Sequence, residues 1–319
     1  MTQLQATAPG KVILFGEHAV VYNRPAIAVP VLKVRAKAEL EPSADLDGLQ
    51  IIAPDLGRHY RLSEAEADDA LAMIIRSTLA YLKQPHPPRA ALTVSSTIPL
   101  GRGLGSGAAI STAIARVVAR FYGCELTPAE LSTLVYEVEK LYHGTPSGID
   151  NTVVAFAQPV YFVRQQPIER MVVARPFTLV VGDTGRVSPT HKAVGYVRRQ
   201  WQADPEGYER YFDAAGRIAA AAREIIEQGQ SIIALGRLMD ENQTALEAIG
   251  VSSPELEQLI QAARRAGALG AKLSGAGWGG NMIALVESQP EVIEAVTRAL
   301  TKAGASGVIV TEVGGIHHP

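Results

Sequence analysis

Four short segments of this chain carry residue types that could perform chemistry on a phosphorylated ligand. Pro99 to Ala109 reads PLGRGLGSGAA, four glycines and a serine immediately ahead of an amphipathic run, Ile110 to Phe121. Glycines let the backbone curl until several amide N–H groups face one anion, and a following helix adds orphan N–H groups and the positive end of its macrodipole. That make-up suits a phosphate, and it also suits a tight structural turn. Earlier, Ala8 to Ala28 reads APGKVILFGEHAVVYNRPAIA. Lys11 beside Gly10 could supply a fixed cation to a moving phosphoryl group or lower the pKa of a neighbouring hydroxyl; the alternative is a solvated turn lysine. Glu17 and His18 follow Gly16 at the end of an apolar run, where a histidine either meets a ligand or is a satisfied structural residue.

The third segment, Glu139 to Asn151, reads EKLYHGTPSGIDN. Glu139 lies at the border of an apolar row formed by Leu131, Leu134, Val135, Val138 and Leu141. A carboxylate there is a candidate Mg²⁺ ligand, since that ion is usually held by one or two carboxylates plus substrate phosphates; the alternative is a glutamate that snorkels to water. Asp150 follows Gly144, Pro146 and Gly148, in a stretch too irregular for helix and too apolar afterwards for a free loop. It either caps the next element or acts as a base paired with a cation, for which Lys11 is available. The fourth segment, Lys272 to Asn281, reads KLSGAGWGGN and forms a small-residue turn between two strands, either structural or facing phosphate.

These segments need elements to hold them. Strands are expected at Lys33 to Glu41, which alternates, at Leu49 to Ala53, at His59 to Leu62 and at Ala90 to Ser96; the run Ala8 to Phe15 reads as a strand interrupted at Gly10 and Lys11. Helices are expected at Glu64 to Leu82, Ala108 to Tyr122 and Pro128 to Leu141, the last opened by Thr127 as N-cap with Pro128 at its first position and Glu130 completing a capping box. Val160 to Val163 and Phe177 to Val181 read as buried strands, and Pro189 to Arg265 is mostly helical. Strands at Ala268 to Lys272 and Asn281 to Val286, a helix at Pro290 to Ala303 and a strand at Gly307 to Thr311 make a β-β-α-β finish. Helices follow strands without strict alternation, which favours an α+β fold over a doubly wound sheet.

At 319 residues the chain has room for one large or two ordinary domains. With 30 basic against 32 acidic side chains there is no electrostatic footprint for nucleic acid or an anionic membrane. One cysteine, Cys124, rules out an intrachain disulfide and fits a reducing, cytoplasmic setting; no apolar stretch approaches the length of a membrane span. A homodimer is compatible with these features.

Taken together and in this order, the segments resemble the GHMP kinases, the superfamily that includes galactokinase, homoserine kinase, mevalonate kinase and phosphomevalonate kinase. Among these the mevalonate kinases are most similar: APGKVILFGEHAVVY looks like that family's first motif and HGTPSGIDN like its catalytic segment, whereas galactokinases carry Thr-Asp where this chain has Ala19 and Val20. The resemblance implies a kinase that uses ATP and Mg²⁺ to phosphorylate the primary hydroxyl of mevalonate, in isoprenoid precursor synthesis. It implies Asp150 as catalytic base, Lys11 as the lysine that pairs with it near the hydroxyl, and Glu139 as a magnesium ligand. ATP phosphates would be held by Pro99, Leu100, Gly101, Arg102, Gly103, Leu104, Gly105, Ser106, Gly107 and Ala108, and substrate by Lys11, His18, Thr190 and, with less weight, Glu17, which could instead satisfy backbone amides. Two positions depart from the family pattern. Gly107 stands where a magnesium-binding serine is common, leaving either Ser106 to supply the hydroxyl from one place earlier or water to fill that coordination site, and Trp278 replaces a small or polar residue in the fourth segment. The implied architecture is α+β, the GHMP kinase fold: an ATP-binding lobe over residues 1–175, like domain 2 of ribosomal protein S5, and a ferredoxin-like lobe over residues 176–319.

Overall fold

The computed structural model describes residues 3–143 and 146–315, so Gly144 and Thr145 of the catalytic segment lie outside the described residues. Two compact units emerge, neither of them a continuous stretch of chain. One holds the residues up to 10 with 34–99 and 105–157; the other holds 11–33, 100–104 and the residues from 158 onward.

The chain opens with β1 (Leu4–Phe15), which runs unbroken through Gly10 and Lys11, against the interruption expected there. One glycine weakens a strand without ending it, and the strand is supported by its pairing with β2 (Ala26–Pro42). β2 also begins well ahead of the alternating stretch that reveals it. Ala26–Val31 is buried throughout, so it carries no period of two, and alternation starts only where one face meets solvent, from Val34 onward. β3 (Leu49–Ala53) and β4 (Arg58–Arg61) form a short antiparallel pair.

A helix α1 (Ala70–Tyr81) follows, shorter than the expected Glu64 to Leu82. Asp69 sets its start, accepting from the Ala72 N–H at 3.0 Å. β5 (Ala90–Ser96) lies antiparallel to β2, with Ala36 opposite Ser96, and parallel to β3, with Ile51 opposite Leu92. Within the first unit the strand order is therefore β4-β3-β5-β2.

Three helices complete that unit: α2 (Ser106–Phe121), α3 (Pro128–His143) and α4 (Ile149–Phe156). The capping box at α3 is formed as expected, with Glu130 Oε2 accepting from the Thr127 N–H at 2.7 Å and Thr127 Oγ1 accepting from the Glu130 N–H at 3.3 Å. Leu131, Leu134, Val135 and Val138 are buried, while Leu141 at the end of the row is 43% exposed.

In the second unit β6 (Val160–Phe162) pairs with the start of β2 and with β7 (Glu169–Arg170). β8 (Phe177–Asp183) is buried at every position. Four helices follow, α5 (Thr190–Ala203), α6 (Pro205–Gln228), α7 (Ile232–Ile249) and α8 (Pro254–Arg265). The chain then finishes with β9 (Gly270–Ser274), β10 (Asn281–Val286), α9 (Pro290–Lys302) and β11 (Gly307–Val313). The four strands form an antiparallel sheet in the order β11-β8-β10-β9, the fourth-first-third-second order of a ferredoxin-like lobe. Val180, Phe212, Leu246, Leu273 and Met282 share its hydrophobic core. Among the described residues no helix is long and apolar enough to cross a membrane.

Candidate active site

Gly101, Gly103 and Gly105 of the phosphate-loop candidate all take left-handed backbone, with φ of 68°, 84° and 74°. Left-handed residues at alternate positions turn successive N–H groups toward one side, the geometry of an anion nest. Gly105 is also the N-cap of α2 and offers no side chain, so the first amides of the helix, at Ser106, Gly107 and Ala108, belong to the orphan set at a helix start. α2 begins two residues earlier than the sequence suggested, at Ser106.

Glu139 lies on α3 and is 4% exposed. A Cβ built on Gly107 would stand 3.2 Å from its Oε1, so a buried carboxylate closes on the first turn of α2. The glycine leaves that oxygen room which any side chain at 107 would crowd. A hard oxygen donor beside a helix start, where free amides and the macrodipole favour anions, fits Mg²⁺. Among the described residues no three His, Cys, Asp or Glu side chains cluster as a metal cage.

The stretch around Asp150, expected to be irregular, is the start of α4. Asp150 sits in its first turn, where the macrodipole favours a carboxylate, and Gly148 at φ 92° is the N-cap. The mount is stiff. Asn151 Nδ2 donates to Ser132 O at 3.0 Å and to Ser132 Oγ at 2.8 Å, and Thr152 Oγ1 donates back to Gly148 O at 2.6 Å. The first turn of α4, which carries Asp150, is thereby tied to α3 and to its own cap.

In the second unit Lys11 is 2% exposed on β1, not a solvated turn lysine, and its N–H donates to Leu104 O at 2.9 Å. The chain then turns sharply at Gly16, φ 89°, where a Cβ would collide with Pro25 O and the Ala26 backbone. Past this turn Glu17 is 1% exposed, and it pairs with Lys272 of β9, itself fully buried. Lys272 Nζ also donates to Leu273 O at 2.6 Å. The chief partner of Glu17 is thus an ammonium, and a backbone amide, as suggested by sequence, is a lesser one. Burial pushes the Glu17 carboxyl up and the Lys272 ammonium down, each opposed by the attraction of the other. Sequence reasoning gave Lys272 no part. The available signal was a lysine inside a strand with apolar or small neighbours on both sides, which needs a buried counter-charge.

His18 holds a left-handed backbone at φ 59° and is 6% exposed. Its Nε2 lies 3.1 Å from Ala276 O; a carbonyl only accepts, so Nε2 carries the proton. Burial lowers its pKa to about 4, partly offset by that carbonyl, and the ring is neutral at pH 7. Ser274 Oγ donates to Ile13 O at 2.9 Å and accepts from the Ile13 N–H at 3.0 Å, which fixes β1 to the same β9 edge. Thr190 opens α5, half-buried, with its N–H on Ser188 O at 2.9 Å. Ser188 Oγ donates to Gly277 O at 2.8 Å. The fourth glycine segment therefore bonds His18 through Ala276 and the approach to Thr190 through Gly277.

Trp278 gains an account here. Its N–H donates to Val251 O at 2.8 Å, its Nε1 to Gly250 O at 2.9 Å, and its ring lies 5.2 Å from that of Tyr196. The indole pins the glycine segment to the C-terminal end of α7, a task no small residue could perform.

The chain is similar to known proteins along most of its length. The family model of the GHMP kinases N terminal domain matches residues 71–158, and that of the GHMP kinases C terminal matches residues 218–306. The chain is 36% identical to the mevalonate kinase of Thermococcus sibiricus over 330 residues, covering 97% of this chain and 98% of the relative. It is 36% identical to that of Pyrococcus horikoshii with the same coverage. Among solved structures, L. major mevalonate kinase in complex with R-mevalonate is similar with a TM-score of 0.83 and 29% identity, covering 98% of this chain and 96% of that one.

Proposed function

The chain belongs to the GHMP kinase family, and from that premise we propose that it transfers the γ-phosphoryl group of ATP to the primary hydroxyl of mevalonate, releasing 5-phosphomevalonate and ADP. The observation that carries phosphoryl transfer is the buried Glu139 carboxylate at the Gly107 turn of the loop, a metal-ligand type placed where phosphates would sit. Mevalonate comes from the names of the full-length relatives.

Phosphoryl transfer asks a protein chiefly for positioning and for stabilisation of charge. In this reading residues Pro99 to Ala108 seat the phosphates, with loop amides and the start of α2 as donors. Mg²⁺ held by Glu139, with Ser106 as the hydroxyl donor, would neutralise charge on the β- and γ-phosphates. Asp150 accepts the proton of the substrate hydroxyl as its oxygen attacks the γ-phosphorus and the bond to the ADP oxygen breaks. Lys11 stabilises the developing alkoxide, and its burial strengthens that charge by excluding water. His18 and Thr190 contact the substrate. Glu17, taken up by Lys272, contributes by fixing the turn that carries His18. Residues 1–175 serve as the ATP-binding lobe and 176–319 as the second lobe, and the lone, free Cys124 supports a cytoplasmic setting.

An ADP-release assay against mevalonate, phosphomevalonate, homoserine and galactose tests the proposal. Turnover on mevalonate well above the others is expected; preference for another alcohol overturns the substrate, and nucleotide binding without turnover on any of them overturns the reaction.

A further inference from the structure

The first half of the phosphate loop is tied down by side chains that the scheme above does not use. Asp183 closes β8 and Asn281 opens β10, and the two stand directly opposite each other in the sheet. Both reach the same loop residue. Asn281 Nδ2 donates to the carbonyl of Arg102, and the Arg102 guanidinium Nη1 lies 3.6 Å from Asp183 Oδ1, which also accepts from the Gly185 N–H at 2.9 Å. Backbone bonds flank this pair of contacts, from the Ser188 N–H to Gly101 O at 3.2 Å and from the Lys11 N–H to Leu104 O. Gly280, just before Asn281, comes so near that a Cβ there would stand 2.8 Å from Arg102 O.

Two atoms of the cluster, Arg102 Nη1 and Asn281 Oδ1, are shielded from solvent and make no hydrogen bond among the described residues. An arginine present for solubility would keep its guanidinium in water, and most buried amides satisfy both of their polar atoms. Polar groups kept buried and under-bonded point to a position that must be held for another purpose. What is held is the peptide of Arg102, which lies between the left-handed Gly101 and Gly103 and so sets the direction of the N–H groups on either side.

We propose that Arg102, Asp183 and Asn281 form a latch that positions the phosphate loop for nucleotide. Asn281 fixes the carbonyl and Asp183 the side chain of one residue, so the Arg102 peptide cannot rotate; with either contact removed it can. The three are positioning residues and need not touch the nucleotide. The proposal rests on reading the loop as an ATP site, and it deepens that reading by naming what holds the loop.

The test is ADP binding to the full chain by calorimetry, without alcohol, together with KM values for both substrates. Asp183→Asn and Asn281→Ala are each expected to weaken ADP about tenfold and to raise the KM for ATP alike, with the KM for mevalonate within about twofold of wild type. Arg102→Met should match Asp183→Asn, and the double variant Arg102→Met with Asp183→Asn should be no worse than either alone, since both break one contact. Unchanged ADP affinity in the folded variants, additive losses, or both KM values rising together overturns the latch. If Asn281→Ala does not fold, Arg102→Met, whose side chain is partly exposed, decides by the same criteria. A wild-type chain that binds ADP yet phosphorylates no mevalonate refutes the substrate reading and leaves the latch standing.

Discussion

Asp150 in the first unit is half-buried and Glu17 with His18 in the second are buried, and different forces hold them. The helix that carries Asp150 is fastened by neutral hydrogen bonds from Asn151 and Thr152, and its carboxylate sits at a helix start that welcomes negative charge whether or not the chemistry is present. The turn that carries Glu17 and His18 is fastened by a fully buried ion pair with Lys272, a left-handed histidine and the Ser274 bonds to Ile13. A side chain of the first kind can be changed at the expense of function alone. In the second region the polar groups are part of the core, and changing them should unsettle the fold as well.

The largest expected effect separates the two directly. Asp150→Asn, nearly isosteric, should lower turnover about 10²- to 10⁴-fold while the thermal midpoint stays near wild type; a large loss of stability would erase the contrast. Lys272→Met should do the opposite. It strands the Glu17 charge in the core and should destabilise the protein by about 3–5 kcal/mol in chemical denaturation, most of it recovered when Glu17→Leu is added. No recovery in the double variant would mean that Lys272 acts by packing and not as a counter-charge.

The smallest effect is a pH dependence. The His18 pKa is about 4 in the fold against an ordinary 6.5, so as pH falls below 6.5 the unfolded chain takes up a proton that the folded chain refuses. Stability assigned to His18 is therefore complete above pH 6.5 and lost on the way down to 4, by about 2 kcal/mol at pH 5. His18→Gln should flatten the stability profile across that window; an unchanged slope would assign it to other groups.

The same contrast explains how far the sequence could be read. The first unit announces itself through local rules: alternation in β2 from Val34 onward, the Thr127 and Glu130 capping box, and glycines ahead of an amphipathic helix. Its misses are also local. Asp69 capped α1 later than the apolar pattern began, and Asp150 entered a helix because Gly148, by adopting a left-handed backbone, could cap it without a side chain. The second unit depends on pairings far apart in sequence. Lys272 meets Glu17 across more than two hundred residues, Ser274 meets Ile13, and Trp278 meets Gly250 only once α7 and the sheet are in place. No spacing rule reaches that far, so the candidate residues could be named from sequence while most of what holds them in place could not. Gly107 shows the same limit on a smaller scale, since its value lies in the room it leaves for Glu139 on another helix.

The central claim is transfer of phosphate from ATP to the primary hydroxyl of mevalonate, and proton-coupled phosphorus NMR of the product tests it most directly. A phosphate on the primary carbon couples to two equivalent neighbouring protons, so the account predicts a triplet appearing as ADP accumulates. A singlet, the signature of a phosphate on the tertiary carbon, or no new phosphate ester at all, would contradict it.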